Sequence, residues 1–534
     1  MPHNRSWQRE IIFGRTLSCV CGECVRACRP SALSPVAKGQ ELFEIAIIGG
    51  GPSAACVVAA MAYRIAPEIP INVTVFEPGP NLWRGRVFQP DGDEVLANVP
   101  MEDMSAVAWD PEHGVRWFHE NGLGDLAADT TVPRRHQVGR YLEDTAEQAI
   151  AAMRAAGSNV EIRTSTVTSL EMDEGKFWTH GDDWKAGSFD QVVLCLGATP
   201  SYDHYKLSSS AGYIADAYPL REALIDVPEQ ASVGIVGSGL TAIDVVMGLR
   251  ARGHRGPITL GSRNGHLPSV RQRPARHKLQ HLTVRRIEEV TAANGGLSFD
   301  DVVELAKAEL VAVGTSIAKI AADFSCTTPA VTRLRNDLVR AMEDRDPGWP
   351  VLRDGMVACG QDAWYLLSDA DKMRVRAWHQ TLMRHCCPMP PANAALLLNM
   401  FHSGQLAITG GVRSILPRST GGFDIDAERP AVVDVVISAS TPAKHEIPPA
   451  ARPLVASMES QGLVAAHPFG GVRVDRITSR LVSRRGVADS KLHALGDLTN
   501  GAYLFTFGMP VLAARADCIA MDIAATMGLF PKRS

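Results

Sequence analysis

Twice in this sequence a short β-branched run meets a glycine-rich turn that opens an apolar helix, and this constrains the fold more than any other feature. The first copy is Ile45-Ala46-Ile47-Ile48, then Gly49-Gly50-Gly51-Pro52-Ser53-Ala54, then an alanine-rich helix to about Arg64 and the strand Ile71–Glu77. The second begins with Val233-Gly234-Ile235-Val236 and continues through Gly237-Ser238-Gly239-Leu240-Thr241-Ala242. Helical residues to Arg250 and the strand Ile258–Arg263 complete it. Each is a βαβ unit, and two copies so far apart predict two nucleotide sites in an α/β chain rather than a tandem repeat.

The chemistry follows from the turns. In the first, Gly49 permits a tight turn, Gly51 lets the backbone approach a pyrophosphate, and Ala54 allows close helix–strand packing. The anion would rest on the helix N-terminus, where unpaired N–H groups and the helix dipole favour it. Glu77, ending the next strand, is placed to accept hydrogen bonds from a ribose. In the second, Gly237, Gly239 and Ala242 repeat the pattern, but Ser262-Arg263 stands where an acid would serve NAD. An arginine there pairs with a 2′-phosphate, so NADP(H) is expected. Two further signals separate a flavoprotein from a plain dehydrogenase. The apolar strand Gln191–Leu196 ends in Gly197, and the strand Leu492–Leu495 ends in Gly496-Asp497. Asp497 is expected to bond a flavin ribityl or ribose hydroxyl. The helix opening around Met509-Pro510 would face the flavin, its N-terminus stabilising negative charge on the reduced ring.

The expected fold is therefore α/β, with two Rossmann-like dinucleotide-binding domains, one for FAD and one for NADP, and a helical insertion. The expected boundaries are an arm over 1–40, the first part of the FAD domain over 41–215, the NADP domain over 216–285, helices over 286–405, and return strands with the rest of the FAD domain over 406–534. Within the insertion, Val302, Ala306, Leu310, Val313, Ile317, Ile320 and Phe324 follow helical spacing behind a Ser298 cap. Thr328-Pro329, Ser368 and Pro390-Pro391 mark further helix starts. The run Val432–Ser438 reads as one strand.

Composition bounds the rest. Hydrophobic residues make up 46% and charged ones 21%, enough for a large core, and the net charge of −4 points to neither nucleic acid nor anionic lipid. No stretch approaches the ~20 apolar residues of a membrane helix, and Met1–Thr16 lacks a signal's apolar core, so a soluble cytoplasmic protein is expected. Eleven mostly scattered cysteines argue against a disulfide scaffold. Cys19, Cys21, Cys24 and Cys28 cluster near the start, but they lack the usual first CxxC of an iron–sulfur motif, and no metal is expected there.

Other segments carry a closer likeness. Arg84-Gly85-Arg86-Val87-Phe88, Leu96-Ala97-Asn98-Val99-Pro100, Met104-Ser105, Pro133-Arg134-Arg135 and Gly139-Arg140-Tyr141-Leu142 are one set. Ser262-Arg263 with Gly265 and Leu267-Pro268, and Met389-Pro390 with Asn393-Ala394, are another. Together with both fingerprints they resemble the two-dinucleotide-binding-domain flavoproteins, and within them the FAD/NAD(P)-binding family that includes the nitrosuccinate-forming aspartate N-monooxygenases. The resemblance implies FAD and NADPH as cofactors, with Arg86, Asn98 and Val99 among the cofactor contacts. It implies oxygen-dependent N-hydroxylation of a small amino acid in specialised metabolism such as antibiotic biosynthesis, with L-aspartate as the expected substrate. Arginines would hold the substrate's carboxylates. Arg271 and Arg273 are the expected pair, with Arg86 and Arg413 behind them. Trp83-Arg84-Gly85-Arg86 departs from the glycine-rich stretch of many members. Leu194-Cys195-Leu196-Gly197-Ala198-Thr199 replaces the Asp-x-x-x-Ala-Thr-Gly of siderophore-type ornithine and lysine hydroxylases. Two other classes stay open: an NADPH oxidoreductase that passes electrons to a small acceptor or partner protein, and a non-catalytic FAD/NAD(P)-binding regulator. Whether the chain forms a homo-oligomer is also open.

Overall fold

The computed structural model describes residues 42–123, 132–197, 202–343, 346–440, 447–506 and 508–528. The arm over 1–40, with its four cysteines, lies outside the described residues, as do Ala198 and Thr199. The first βαβ unit builds the centre of a six-stranded sheet. Its order is Arg480–Val482, Ala488–Ala494, Gln191–Leu194, Phe43–Ile48, Ile71–Phe76 and Asn159–Arg163. All neighbours run parallel except the edge strand Arg480–Val482. Strands of such a sheet are covered on both faces and so read as continuous apolar runs. Ile45, Ala46 and Ile47 are fully buried accordingly. The helices Pro52–Arg64 and Met509–Met527 are tied on one face, where the Arg64 guanidinium grips Asp517 through two bonds of 2.6 and 2.7 Å.

The second unit builds a five-stranded parallel sheet in the order Leu406–Thr409, Ile258–Gly261, Val233–Val236, Val435–Ser438 and Tyr213–Ile214. Two expectations change here. Tyr213–Ile214, Leu406–Thr409 and Val435–Ser438 join the second sheet, so it draws strands from outside the expected 216–285 span. The run 432–438 is also not one strand. Ala431–Val433 pairs antiparallel with Phe423–Asp426, while Val435–Ser438 enters the parallel sheet. Asp434 makes the corner: its carboxylate accepts both the N–H and the hydroxyl of Ser232 at 2.7 Å.

The insertion is helical, in eight segments among the described residues between Val284 and Ser403. The expected cap is present, with the Ser298 hydroxyl accepting from the Asp301 N–H at 3.1 Å and the Asp301 carboxylate from the Ser298 N–H at 2.9 Å. The stripe behind it is two helices, Phe299–Ala312 and Ile317–Phe324, because Gly314 adopts a φ of +74° between them. The helix Gly348–Leu366 was not anticipated, since Pro350, Gly355 and Gly360 interrupt its pattern. Glu309, fully buried, accepts the N–H groups of Gln280, His281 and Leu282, which fastens the loop after the second fingerprint onto the insertion. No helix among the described residues is long and apolar enough to cross a membrane.

Candidate functional site

The two glycine turns are near copies in space. Gly49 has a φ of +101° and Gly237 one of +121°, a region that side-chain-bearing residues avoid. A Cβ on Gly49 would lie 2.5 Å from the Cys195 carbonyl oxygen, and one on Gly237 2.8 Å from that of Ala439. In both sites the turn is thus pressed against the end of the neighbouring parallel strand. Gly51 and Gly239 then cap their helices with (φ, ψ) of (−87°, −164°) and (−85°, −167°), with no side chain satisfying the first N–H groups. Ala54 and Ala242 are fully buried where helix meets sheet. A Cβ built on Gly239 meets nothing within 4 Å, and one on Gly51 meets only the Gly85 Cα at 3.8 Å. Open space before an uncapped helix N-terminus fits a pyrophosphate in both places.

Around the first turn, the Glu77 carboxylate accepts the N–H of Gly50 at 2.7 Å and of Gly79 at 2.8 Å. It therefore shapes the turn and keeps lone pairs for a ribose. The altered stretch folds back over this turn: Trp83, buried with a φ of +67°, donates its N–H to the Gly50 carbonyl at 2.5 Å. Arg84 pairs with Glu143 on the helix Arg135–Ala155. Gly139 on that helix has no room for a side chain, since a Cβ would sit 2.0 Å from the Phe88 carbonyl. Gly197 is exposed with open space around it. Gly496, at φ +85°, packs against Ser53 of the fingerprint helix, which places Asp497 beside the first turn. Asp497 is half-buried and accepts the Thr506 hydroxyl at 3.1 Å. Met509 opens the last helix with its sulfur in the core, 3.9 Å from the Cys56 sulfur, so its backbone at the helix start is what a cofactor could meet.

Around the second turn, the Ser262 hydroxyl accepts the Gly265 N–H at 3.0 Å and the Ser238 hydroxyl at 2.9 Å. Arg263 is exposed and forms no ion pair among the described residues, the state a 2′-phosphate contact requires.

The remaining arginines divide. Arg86 is engaged by Asp216, with its Nε 3.1 Å from both carboxylate oxygens, and it stacks on Tyr218 at 5.0 Å. Arg413 is held by Asp426 on the surface. Arg273 is exposed. Arg271 is drawn inward by a parallel bridge between Val270 and Met389, and its N–H donates to the Met389 carbonyl at 2.9 Å. Its Nε donates to the backbone carbonyl of Asn98, while Val99 packs on the core beneath the first sheet. Arg271 has no carboxylate in ion-pair range among the described residues, and burial together with the nearby Arg353 brings its pKa down to about 9. The site thus joins the Asn98 loop of the first lobe to the segment after the second fingerprint.

Sequence reasoning missed the seam between the two lobes and Arg353. In the seam, Arg135 pairs with buried Asp244 at 2.8 Å, the Tyr218 hydroxyl donates to Asp244, and Asp91 accepts the N–H groups of Leu220 and Arg221. Only the Pro-Arg-Arg motif at 133–135 hinted at this.

Residues 46–199 match the family described as FAD-NAD(P)-binding. The sequence matches no curated protein significantly. Among solved structures the chain resembles the reduced form of an ornithine hydroxylase from Pseudomonas aeruginosa, at 13% identity and a TM-score of 0.57, over 91% of this chain and 100% of that one. It also resembles an L-lysine 6-monooxygenase from Pseudomonas syringae, at 15% identity and 0.56, over 90% and 99%. A third is an ornithine N-hydroxylase from Kutzneria sp. 744, solved with reduced FAD, NADP+ and L-ornithine, at 14% identity and 0.54, over 91% and 100%. At these identities the likeness is one of fold. Residues 46–199 are therefore a domain of the FAD/NAD(P)-binding family, set in an α/β fold that the chain shares with solved ornithine and lysine hydroxylases.

Proposed function

We propose that this chain is an FAD-dependent, NADPH- and oxygen-consuming monooxygenase that hydroxylates the amine of a small amino acid, with L-aspartate, oxidised onward to nitrosuccinate, as the substrate. The observation that carries the reading is the pair of matching cradles, one beside Glu77 and Asp497 and the other beside Ser262 and Arg263, with Arg271 reaching from one lobe to the other. Glu77, Gly51, Gly197 and Asp497 would hold FAD, and Gly239, Ser262 and Arg263 would hold NADPH. Once bound, these groups supply hydride transfer and oxygen activation. The chain's own residues bind, orient and select. Arg271, lacking an internal carboxylate, would clamp one from the substrate and fix the amine's position. The named relatives' substrates are ornithine and lysine. The missing Asp-x-x-x-Ala-Thr-Gly segment and the motif resemblance favour an acidic amino acid here.

The test is NADPH consumption by the FAD-loaded protein in air, with L-aspartate, L-ornithine or no amine, and product identification by mass. Aspartate-stimulated consumption with a hydroxylamino or nitro product is expected. Consumption indifferent to every amine would sink the reading and favour electron transfer to another acceptor. No NADPH turnover by flavin-loaded protein would leave a binding protein.

A further inference from the structure

Three arginines in the described chain are less than a tenth exposed: Arg353, Arg384 and Arg515. Two are matched. Arg384 pairs with Asp337 and donates to the Leu267 carbonyl at 2.9 Å. Arg515 donates to the Gln361 side chain at 2.7 Å and to the Arg476 carbonyl at 2.5 Å. Arg353, 8% exposed on the helix Gly348–Leu366, makes no hydrogen bond or ion pair among the described residues. A buried cation without a partner is among the costliest features a fold can carry.

Nearby Arg271 also lacks a carboxylate partner among the described residues, although its Nε donates to the Asn98 carbonyl. Gln272, next to Arg271, donates to the Asp346 carbonyl at 2.9 Å, two residues before Arg353's helix begins. The Cys386 sulfur lies 3.3 Å from the Met356 sulfur of the same helix, and Met389 bridges to Val270. These contacts stitch the Arg271 segment, the Arg353 helix and the 386–389 turn into one wall. Asp103 and Asp354, both exposed, act on the two arginines as opposite charges without an ion pair to either, and Arg353 bears on Arg271 as a like charge. Two guanidinium groups therefore share a wall that supplies neither with a carboxylate.

We propose that Arg353 and Arg271 form a receptor for a ligand with two carboxylates, one for each guanidinium. Taking that ligand to be the substrate rests on the proposed function, which it narrows. The two positive charges select a dicarboxylic amino acid and repel a diamino acid, whose second ammonium would face two guanidinium groups. Arg353 is then a specificity residue that no local sequence motif marks.

The experiment is calorimetric titration of the FAD-loaded protein with succinate, which has both carboxylates and no amine to oxidise, alongside propionate and putrescine. Succinate is expected to bind more tightly than either and to raise the melting temperature. Arg353→Gln should weaken succinate binding roughly ten- to hundred-fold, the range for a lost charge-assisted pair, and Arg353→Lys, which keeps the charge without the fork, should recover part of it. Arg353→Met, lacking the unmatched charge, should melt no lower than the wild type without ligand. Succinate binding no tighter than propionate would overturn the proposal, as would equal affinity in Arg353→Gln, or a ligand-free Arg353→Met that melts well below the wild type. Tight succinate binding to a protein that oxidises no amine would uphold this site while removing the monooxygenase reading.

Discussion

At the scale of single residues, the two fingerprints separate fold from ligand. A Cβ on Gly239 meets no protein atom within 4 Å. Gly239→Val is therefore expected to melt like the wild type while raising the KM for NADPH at least tenfold, by roughly 1.4 kcal/mol or more. Gly49→Ala is the opposite case, because its φ is positive and its Cβ would strike the Cys195 carbonyl. Urea denaturation should show it destabilised by roughly 2–4 kcal/mol. Arg263→Ala should raise the KM for NADPH about tenfold and leave that for NADH unchanged, as expected for loss of a charge-assisted phosphate contact. The glycines were legible in sequence because positive φ and close approach are local demands that few residues meet. The partner of Arg86 could not be read locally, because Asp216 lies 130 positions away. Arg353 left no local trace, since an unmatched buried charge is defined only by what surrounds it in space.

At the scale of elements, periodicity located most of the insertion because its helices begin with recognisable caps. Ser298 and Asp301 form a reciprocal box, and Ser298→Ala should cost about 1 kcal/mol in denaturant titration. The helix Gly348–Leu366 was hidden because its interior glycines serve packing: at Gly355 a Cβ would lie 2.5 Å from Leu282. That helix carries Arg353, so the element least visible in sequence holds the residue least visible in sequence. The break at Asp434 was equally unreadable. The apolar alternation runs through it, and only the bonds to Ser232, 202 residues earlier, turn the chain from one sheet to another.

At the scale of the whole molecule, the presence of two parallel sheets followed from the paired βαβ units, whereas the strand order of the second, which takes in Leu406–Thr409 and Val435–Ser438, did not. The seam between them did not, being built from side chains that meet only after both lobes fold. A pH dependence also belongs to this scale. His385 is buried against Trp349 in a parallel stack at 3.9 Å, and burial together with Arg384 lowers its pKa to about 2. It stays neutral in the folded chain and takes a proton only on unfolding. Stability should therefore hold above pH ~6.5 and fall below it, by about 1.4 kcal/mol per pH unit from this group. Denaturant titrations at pH 7.5 and 5.5 should show a smaller drop in His385→Phe than in the wild type, and equal drops would contradict the assignment. The central claim is oxygen insertion at nitrogen, and its most direct test is turnover under 18O2 with NADPH and L-aspartate, followed by mass spectrometry of the product. Label from O2 is expected on the aspartate nitrogen, in a hydroxylamino or nitro product. NADPH consumed with unmodified aspartate, and every O2-derived oxygen recovered as peroxide or water, would contradict it.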